Sequence, residues 1–291
     1  MSSQLELVLD AKATLAEGPT WDEETQKLYW LDIEKKQLNK FDPVSKQNVV
    51  TQFDQYVSAV ALKKSGGLVL AMQHGFYFMD LDKDKPTPII DPEAHLPNNR
   101  FNDGKCDPLG QFWAGTMSMN NESEAGALYC LNKHREVSSK ISGVSVSNGL
   151  AWSPDGRTMY YIDSPTKQVV AYDFDAIGNI SNRRVVVNIP EGEGVPDGMT
   201  IDEEGHIWVA QWGGYKVSRW NVNDGTRLAE VSVPAAHVTS CTFGGDKLDE
   251  LYITTARSGL TDRMLAEQPL AGGIFKMKTG VKGLPAMKYD G

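Results

Sequence analysis

Short alternations of apolar and polar residues recur along the chain in a fixed order. Six segments open with a polar residue four positions ahead of an apolar one: Glu17 and Trp21, Ser58 and Leu62, Asn102 and Cys106, Asn148 and Trp152, Asp197 and Ile201, Thr239 and Phe243. Successive polar leaders stand 41 to 49 residues apart, the spacing expected of four-stranded propeller blades. Each segment runs into a turn such as Asp107-Pro-Leu-Gly110, Ser153-Pro-Asp-Gly156 or Asp202-Glu-Glu-Gly205, residue types that reverse a chain. A second run follows, rich in aromatic and β-branched residues, as in Leu28–Ile33, Phe112–Gly115 and Ile207–Ala210. A third comes after it, as in Leu38–Phe41, Ala127–Cys130 and Val217–Trp220. Such runs are strands.

Three strand signals in constant order, six times over, predict an all-β chain: a six-bladed β-propeller filling residues 1–291 as a single domain. Residues 5–9 (Leu-Glu-Leu-Val-Leu) read as a strand ahead of the first unit, while the sixth unit lacks a fourth strand. The amino-terminal strand is therefore expected to complete the last blade and close the ring, which removes open edges. The longest departure from the period lies between Arg257 and Gly272, where residues 261–267 read as a short helical excursion. It serves either as a cap over one end of the channel or as an inert surface loop.

Composition narrows the function. The 291 residues are 41% apolar with seven Trp, enough for a large core. The formal charge of −9 comes without a Lys/Arg cluster, which argues against nucleic acid and anionic membrane surfaces as partners. Three cysteines, with no C-x-x-C spacing, imply neither a thiolate zinc site nor a disulfide framework. No signal-peptide pattern opens the sequence, and no apolar run approaches the ~18 residues of a membrane helix. The expectation is a cytoplasmic, reduced setting. The chain carries no G-x-S-x-G elbow, Walker loop or G-x-G-x-x-G, so serine hydrolase, NTPase and dinucleotide readings fall away. The five histidines are scattered without metal-ligand or triad spacing, and each reads as structural or exposed rather than catalytic.

The chemistry concentrates in the leaders. In a propeller the innermost strand of each blade lines the channel, so Glu17, Ser58, Asn102, Asn148, Asp197 and Thr239 should meet near one end. Two carboxylates brought together away from water repel each other unless one is protonated or a cation intervenes. A hard divalent ion suits such oxygen ligands, and the absence of histidine at this register favours calcium, magnesium or manganese over a His-rich zinc site. The alternative is that these side chains satisfy backbone groups and water. Arg100, two residues before Asn102, reaches the same cavity as a donor to an anionic or hydroxylated ligand, or else pairs with a loop acid. Asp103 and Gly104 read as shaping a turn.

Several of these residues lie in longer motifs: Glu17-Gly-Pro, Arg100-Phe-Asn-Asp-Gly-Lys105, Trp113-Ala-Gly-Thr-Met117, Ser147-Asn-Gly-Leu-Ala-Trp-Ser-Pro-Asp-Gly156 and Pro196-Asp-Gly-Met199. In these the whole chain resembles the gluconolactonase, regucalcin and luciferin-regenerating enzyme family. The resemblance implies a six-bladed propeller. It implies one divalent cation, calcium first with zinc, magnesium or manganese as alternatives, held by Glu17, Asn148 and Asp197. It also implies substrate contacts from Arg100 and Asn102. Where regucalcin-like members place a Glu after the Gly-Thr-Met segment, this chain has Asn120, with Glu122 close by. That departure leaves the preference for sugar lactones open. The expected activity is metal-assisted hydrolysis of a small-molecule lactone, with Asp197 as metal ligand and general acid/base. The alternatives are a non-enzymatic calcium-binding regulatory protein of the regucalcin type and promiscuous phosphotriester hydrolysis. The sequence gives no indication of oligomeric state.

Overall fold

A computed structural model describes residues 4–81 and 85–291. Among the described residues there are 24 strands, a 3-10 turn at Ser164–Thr166 and one six-residue α-helix, α1 (Asp262–Glu267). The fold is all-β, as the alternation predicts. No helix among the described residues is long and apolar enough to cross a membrane.

After β1 (Glu6–Leu9), the strands group into antiparallel meanders. The first holds β2 (Ala16–Asp22), β3 (Lys27–Asp32), β4 (Gln37–Phe41) and β5 (Asn48–Gln52). The second holds β6 (Val57–Leu62), β7 (Leu68–Met72), β8 (Gly75–Met79) and β9 (Thr87–Ile90). The third holds β10 (Asn99–Cys106), β11 (Phe112–Ser118), β12 (Gly126–Leu131) and β13 (Val137–Val144). The fourth holds β14 (Ser147–Trp152), β15 (Thr158–Asp163), β16 (Gln168–Phe174) and β17 (Ile180–Asn188). The fifth holds β18 (Val195–Ile201), β19 (Ile207–Trp212), β20 (Lys216–Trp220) and β21 (Arg227–Ser232). The sixth holds β22 (His237–Gly244), β23 (Glu250–Ala256) and β24 (Ile274–Lys278), with β1 pairing antiparallel to β24 as its fourth strand. The first four meanders are separate sheets; one residue pair, Trp212 opposite His237, joins the fifth and sixth into an eight-stranded sheet.

The first strands of the meanders pack in closed order: β2, β6, β10, β14, β18, β22 and back to β2. Aromatic side chains fill the gaps between neighbouring meanders. Trp21 stacks on Tyr252 at 5.3 Å, Trp113 meets Trp152 at 5.9 Å, and Trp208 meets Phe243 at 5.9 Å. Edge-to-face and offset contacts of this kind add roughly 0.5–1.5 kcal/mol each beyond area burial. Two of the turns do more than reverse the chain. Asp107 Oδ2 accepts from Trp113 Nε1 at 2.8 Å, and Asp202 Oδ2 from Trp208 Nε1 at 2.9 Å. Each carboxylate also accepts two backbone N–H groups of its own turn, so one buried acid locks turn to second strand.

Each first strand breaks register at its polar leader: between Glu17 and Thr20, Val57 and Ala59, Phe101 and Gly104, Asn148 and Leu150, Pro196 and Met199, Val238 and Ser240. Such bulges re-aim side chains. The same irregularity at the same place in all six strands sets the leaders apart from the surrounding ladder.

The carboxyl-terminal residues form a strap that the repeat pattern does not reveal. Gly283 N donates to Leu248 O, and the chain then crosses to Tyr289, whose N–H donates to Leu62 O and whose hydroxyl donates to Asn132 O. Residues 284–287 line a cavity of about 210 Å³ together with Thr20, Lys105, Trp152 and Thr200. These lie on the far side of the leaders from Arg100.

Candidate functional site

All six leaders are buried, none more than 8% exposed. Glycines beside two of them let the first strands approach each other. A Cβ on Gly149 would lie 2.8 Å from Asp197 O, and one on Gly198 would lie 2.1 Å from Ser240 Oγ. A side chain at either place would push apart the strands that carry Asn148, Asp197 and Thr239.

Glu17 and Asp197 act on each other as neighbouring buried carboxyls, so ionising one opposes ionising the other. Glu17 Oε2 also accepts from Gly18 N at 2.9 Å. Burial, reinforced by the charge of Asp103, pushes the Glu17 carboxyl up to about 8 against the opposing pull of Arg100. Burial, then the charge of Glu17, holds Asp197 well above the usual carboxylate range. Asp197 Oδ1 is buried with no hydrogen-bond partner among the described residues. An orphaned carboxylate oxygen is costly away from water, and it marks where a positive partner would be most stabilising.

The amides are tied in series. Arg100 Nη1 donates to Asn102 Oδ1 at 2.8 Å and to Phe101 O at 2.8 Å. Asn102 Nδ2 donates to Ser147 O at 2.8 Å and to Asn148 Oδ1 at 3.2 Å. Asn148 Nδ2 donates in turn to Ser164 Oγ at 2.9 Å, which fixes the orientation of its amide oxygen. The chain thus runs from Arg100 through Asn102 to Asn148. The loop acid considered as an Arg100 partner does not form an ion pair with it among the described residues; Glu17 and Glu34 act on it at longer range.

The remaining leaders differ in use. Thr239 Oγ1 donates to Ala16 O at 2.5 Å, holding the sixth meander to the first, whereas Ser58 Oγ has no hydrogen-bond partner among the described residues. Asn120 is exposed on the turn after β11, with its N–H donating to Ser118 Oγ at 3.1 Å. Its strand pairs with that of Arg100, Met117 opposite Arg100, so the two share one end of the third meander without a direct hydrogen bond.

The donors meet the requirements of a hard divalent cation: two carboxylates and an amide oxygen, with one carboxylate oxygen unpartnered. Among the described residues there is no group of three or more His, Cys, Asp and Glu placed to hold a metal; the trio here has two acids and an amide. The donor chemistry of Glu17, Asn148 and Asp197 fits the ion.

Two features escape the sequence reading. Asp103 does not shape a turn: it is buried within β10, its carboxyl raised by burial, with Lys105 as its counter-charge. Lys105 Nζ donates to Met199 O at 2.6 Å. The signal was the run Asn102-Asp103, two carbonyl-bearing side chains ahead of a lysine two residues on. Second, the positions two before each leader form a partly exposed tier above the buried one: Leu15, Tyr56, Arg100, Val146, Val195 and His237. Applying the Arg100 offset to the other five units would have found it. The excursion at 257–272 ends at this tier, with Ser258 O meeting His237 Nδ1 at 2.9 Å and Gln268 Oε1 accepting from Ala236 N.

Comparison with known proteins identifies the family. Residues 15–257 match the SMP-30/Gluconolactonase/LRE-like region. The chain is 41% identical to the Bacillus subtilis (strain 168) protein named "Putative sugar lactone lactonase YvrE", covering 98% of each. It is 41% identical to regucalcin of Bos taurus, covering 100% of this chain and 99% of the relative. Among solved structures, a luciferin-regenerating enzyme superposes with a TM-score of 0.93 at 36% identity, covering 99% of both chains. A calcium-binding protein, regucalcin, from Agrobacterium tumefaciens str. C58 superposes at 0.94 with 29% identity, covering 99% of this chain and 97% of that one. The protein therefore belongs to the SMP-30/gluconolactonase/LRE-like family.

Proposed function

We propose that this chain is a metal-dependent lactonase that opens the ring of a small lactone. The observation that carries the reading is the buried Glu17–Asp197 pair, one of whose oxygens has no partner, beside the fixed amide of Asn148. The relative named as a sugar lactone lactonase and the solved structure described as a calcium-binding protein support the substrate class and the ion.

Glu17, Asn148 and Asp197 would hold one divalent cation, calcium first and zinc, magnesium or manganese as alternatives. When bound, such an ion polarises a carbonyl and stabilises the oxyanion that forms on it. Asp197 takes the proton of the attacking water through a carboxylate oxygen that the ion leaves free and returns it to the ring oxygen as the ester C–O bond breaks. The products are a hydroxyl and a carboxylic acid on one molecule, the acid then giving its proton to solvent. Arg100 keeps N–H groups beyond the one bound to Asn102 and Phe101, and orients the acyl oxygens. Asn102 holds Arg100 to Asn148, and Asn120 contributes an amide at the rim. The closed order of the first strands, with β1 completing the sixth meander, supports the six-bladed propeller as the scaffold.

Pale competition comes from a calcium-binding regulatory role, favoured by the relatives named regucalcin and by the bacterial structure described as calcium-binding. Proton release from a panel of lactones, with chelator and with calcium, zinc, magnesium or manganese restored, separates the two. The lactonase reading expects turnover that chelation stops and Asp197→Ala abolishes. Tight calcium binding without turnover of any lactone favours the regulatory role.

A further inference from the structure

The tier above the leaders holds a second fixed polar group besides Arg100. His237 Nδ1 lies 2.9 Å from Ser258 O. A carbonyl only accepts, so Nδ1 carries the proton, and in the neutral ring Nε2 is left with a lone pair. Burial lowers the proton affinity of this imidazole more than the Ser258 carbonyl raises it. The ring is stacked on Trp212 at 3.9 Å with an 11° interplanar angle, at the residue pair that joins the fifth and sixth meanders. Backbone pairing, stacking and the Ser258 contact together fix its orientation.

Its place in the fold is equally defined. β22 packs between β18, which carries Asp197, and β2, which carries Glu17. In the closed order of first strands, β22 and β10 are three steps apart in either direction. His237 and Arg100, each two residues before its leader, thus stand on opposite sides of the mouth. Leu15, Val146 and Val195 bring no hydrogen-bonding side chain to this tier, Arg100 only donates, and Tyr56 can do both.

We propose that His237 is a substrate-positioning residue, whose Nε2 accepts a hydrogen bond from a ring hydroxyl of the bound lactone while Arg100 holds the acyl side from across the mouth. This assignment rests on the lactonase function proposed above and adds to it a residue that selects for substrate hydroxyls. Without His237, Tyr56 would be the one acceptor of this tier for the hydroxyl protons of such a substrate, and sites built to pair a substrate hydroxyl discriminate strongly against analogues that lack it. The excursion at 257–272 acquires a purpose, since it supplies the carbonyl that sets the tautomer.

The test compares glucono-δ-lactone with unsubstituted δ-valerolactone in wild type, His237→Phe and His237→Gln, each loaded with calcium. Phe keeps the stack and removes the acceptor; Gln restores an acceptor at about the reach of Nε2. The expected result is a kcat/KM for the hydroxylated lactone about 10- to 100-fold lower in His237→Phe, mostly through KM, and largely recovered in His237→Gln. δ-Valerolactone turnover should change less than about twofold, because that substrate presents no hydroxyl for the site to pair, and the calcium-induced rise in melting temperature should persist. Equal losses on both lactones, or no loss on either, would overturn the assignment. A wild type that hydrolyses neither lactone would sink the lactonase reading first, and this assignment with it.

Discussion

Replacing Glu17 by Gln keeps the shape of the buried pair and removes one of its two titrating carboxyls, which separates folding from ion binding. In the metal-free protein the Glu17 carboxyl is raised to about 8 by burial and by Asp103. The folded chain therefore retains a proton that the unfolded chain loses above its ordinary carboxylate pKa. A raised folded value gives stability that is fully present below the unfolded pKa and is lost as pH climbs through the folded one. At ~1.36 kcal/mol per unit, the shift corresponds to roughly 4–5 kcal/mol lost between about pH 4.5 and pH 8. Gln does not titrate, so the variant should lose much less across this window; the residual slope comes from Asp197, which is raised too. Calcium has the opposite consequence. An ion present at about 100 times its Kd stabilises the wild type by about 2.7 kcal/mol, a rise of about 5 °C for a chain of this size. The variant, with one carboxylate fewer, should show little of that rise. Urea unfolding at pH 5, 6, 7 and 8, with chelator and with calcium, measures both effects. Parallel pH profiles in wild type and variant, or an undiminished calcium response in Glu17→Gln, would refute the reasoning.

Other consequences are simpler. Arg100→Lys should keep the charge but lose the fork that bonds Asn102 and Phe101, lowering kcat/KM about 10- to 100-fold while calcium affinity, read by titration, stays near wild type. Asp202→Ala strands the Trp208 indole and two turn N–H groups, and should destabilise the fold by about 3–5 kcal/mol in chemical denaturation, well away from the leaders. Gly198→Ala places a methyl against Ser240 and should weaken calcium binding more than it lowers stability, because it displaces the strand that carries Asp197.

The strand order was legible because each unit alternates with period two and ends in a turn of recognisable chemistry. Leu28–Ile33 became β3 at Lys27–Asp32, and residues 5–9 became the edge that pairs with β24. The leaders were legible because they keep one offset from an apolar anchor. What was hidden is what depends on contacts between units. The bulges beside Glu17, Asn102 and Asp197 leave no mark in composition, so Asp103 read as a turn former although it lies in β10. The indole clamps of Asp107 and Asp202 looked like turn acids, since their partners lie six residues on in the next strand. The strap ending at Tyr289 has no periodicity at all; its anchors, Leu62 and Asn132, are distant in sequence.

The most direct test of the central claim is anomalous diffraction from a crystal grown with manganese in place of calcium. The account predicts a single strong peak bonded to oxygens of Glu17, Asn148 and Asp197, within about 2.0–2.6 Å for hard divalent ions. A map with no peak between those side chains at saturating metal would contradict it.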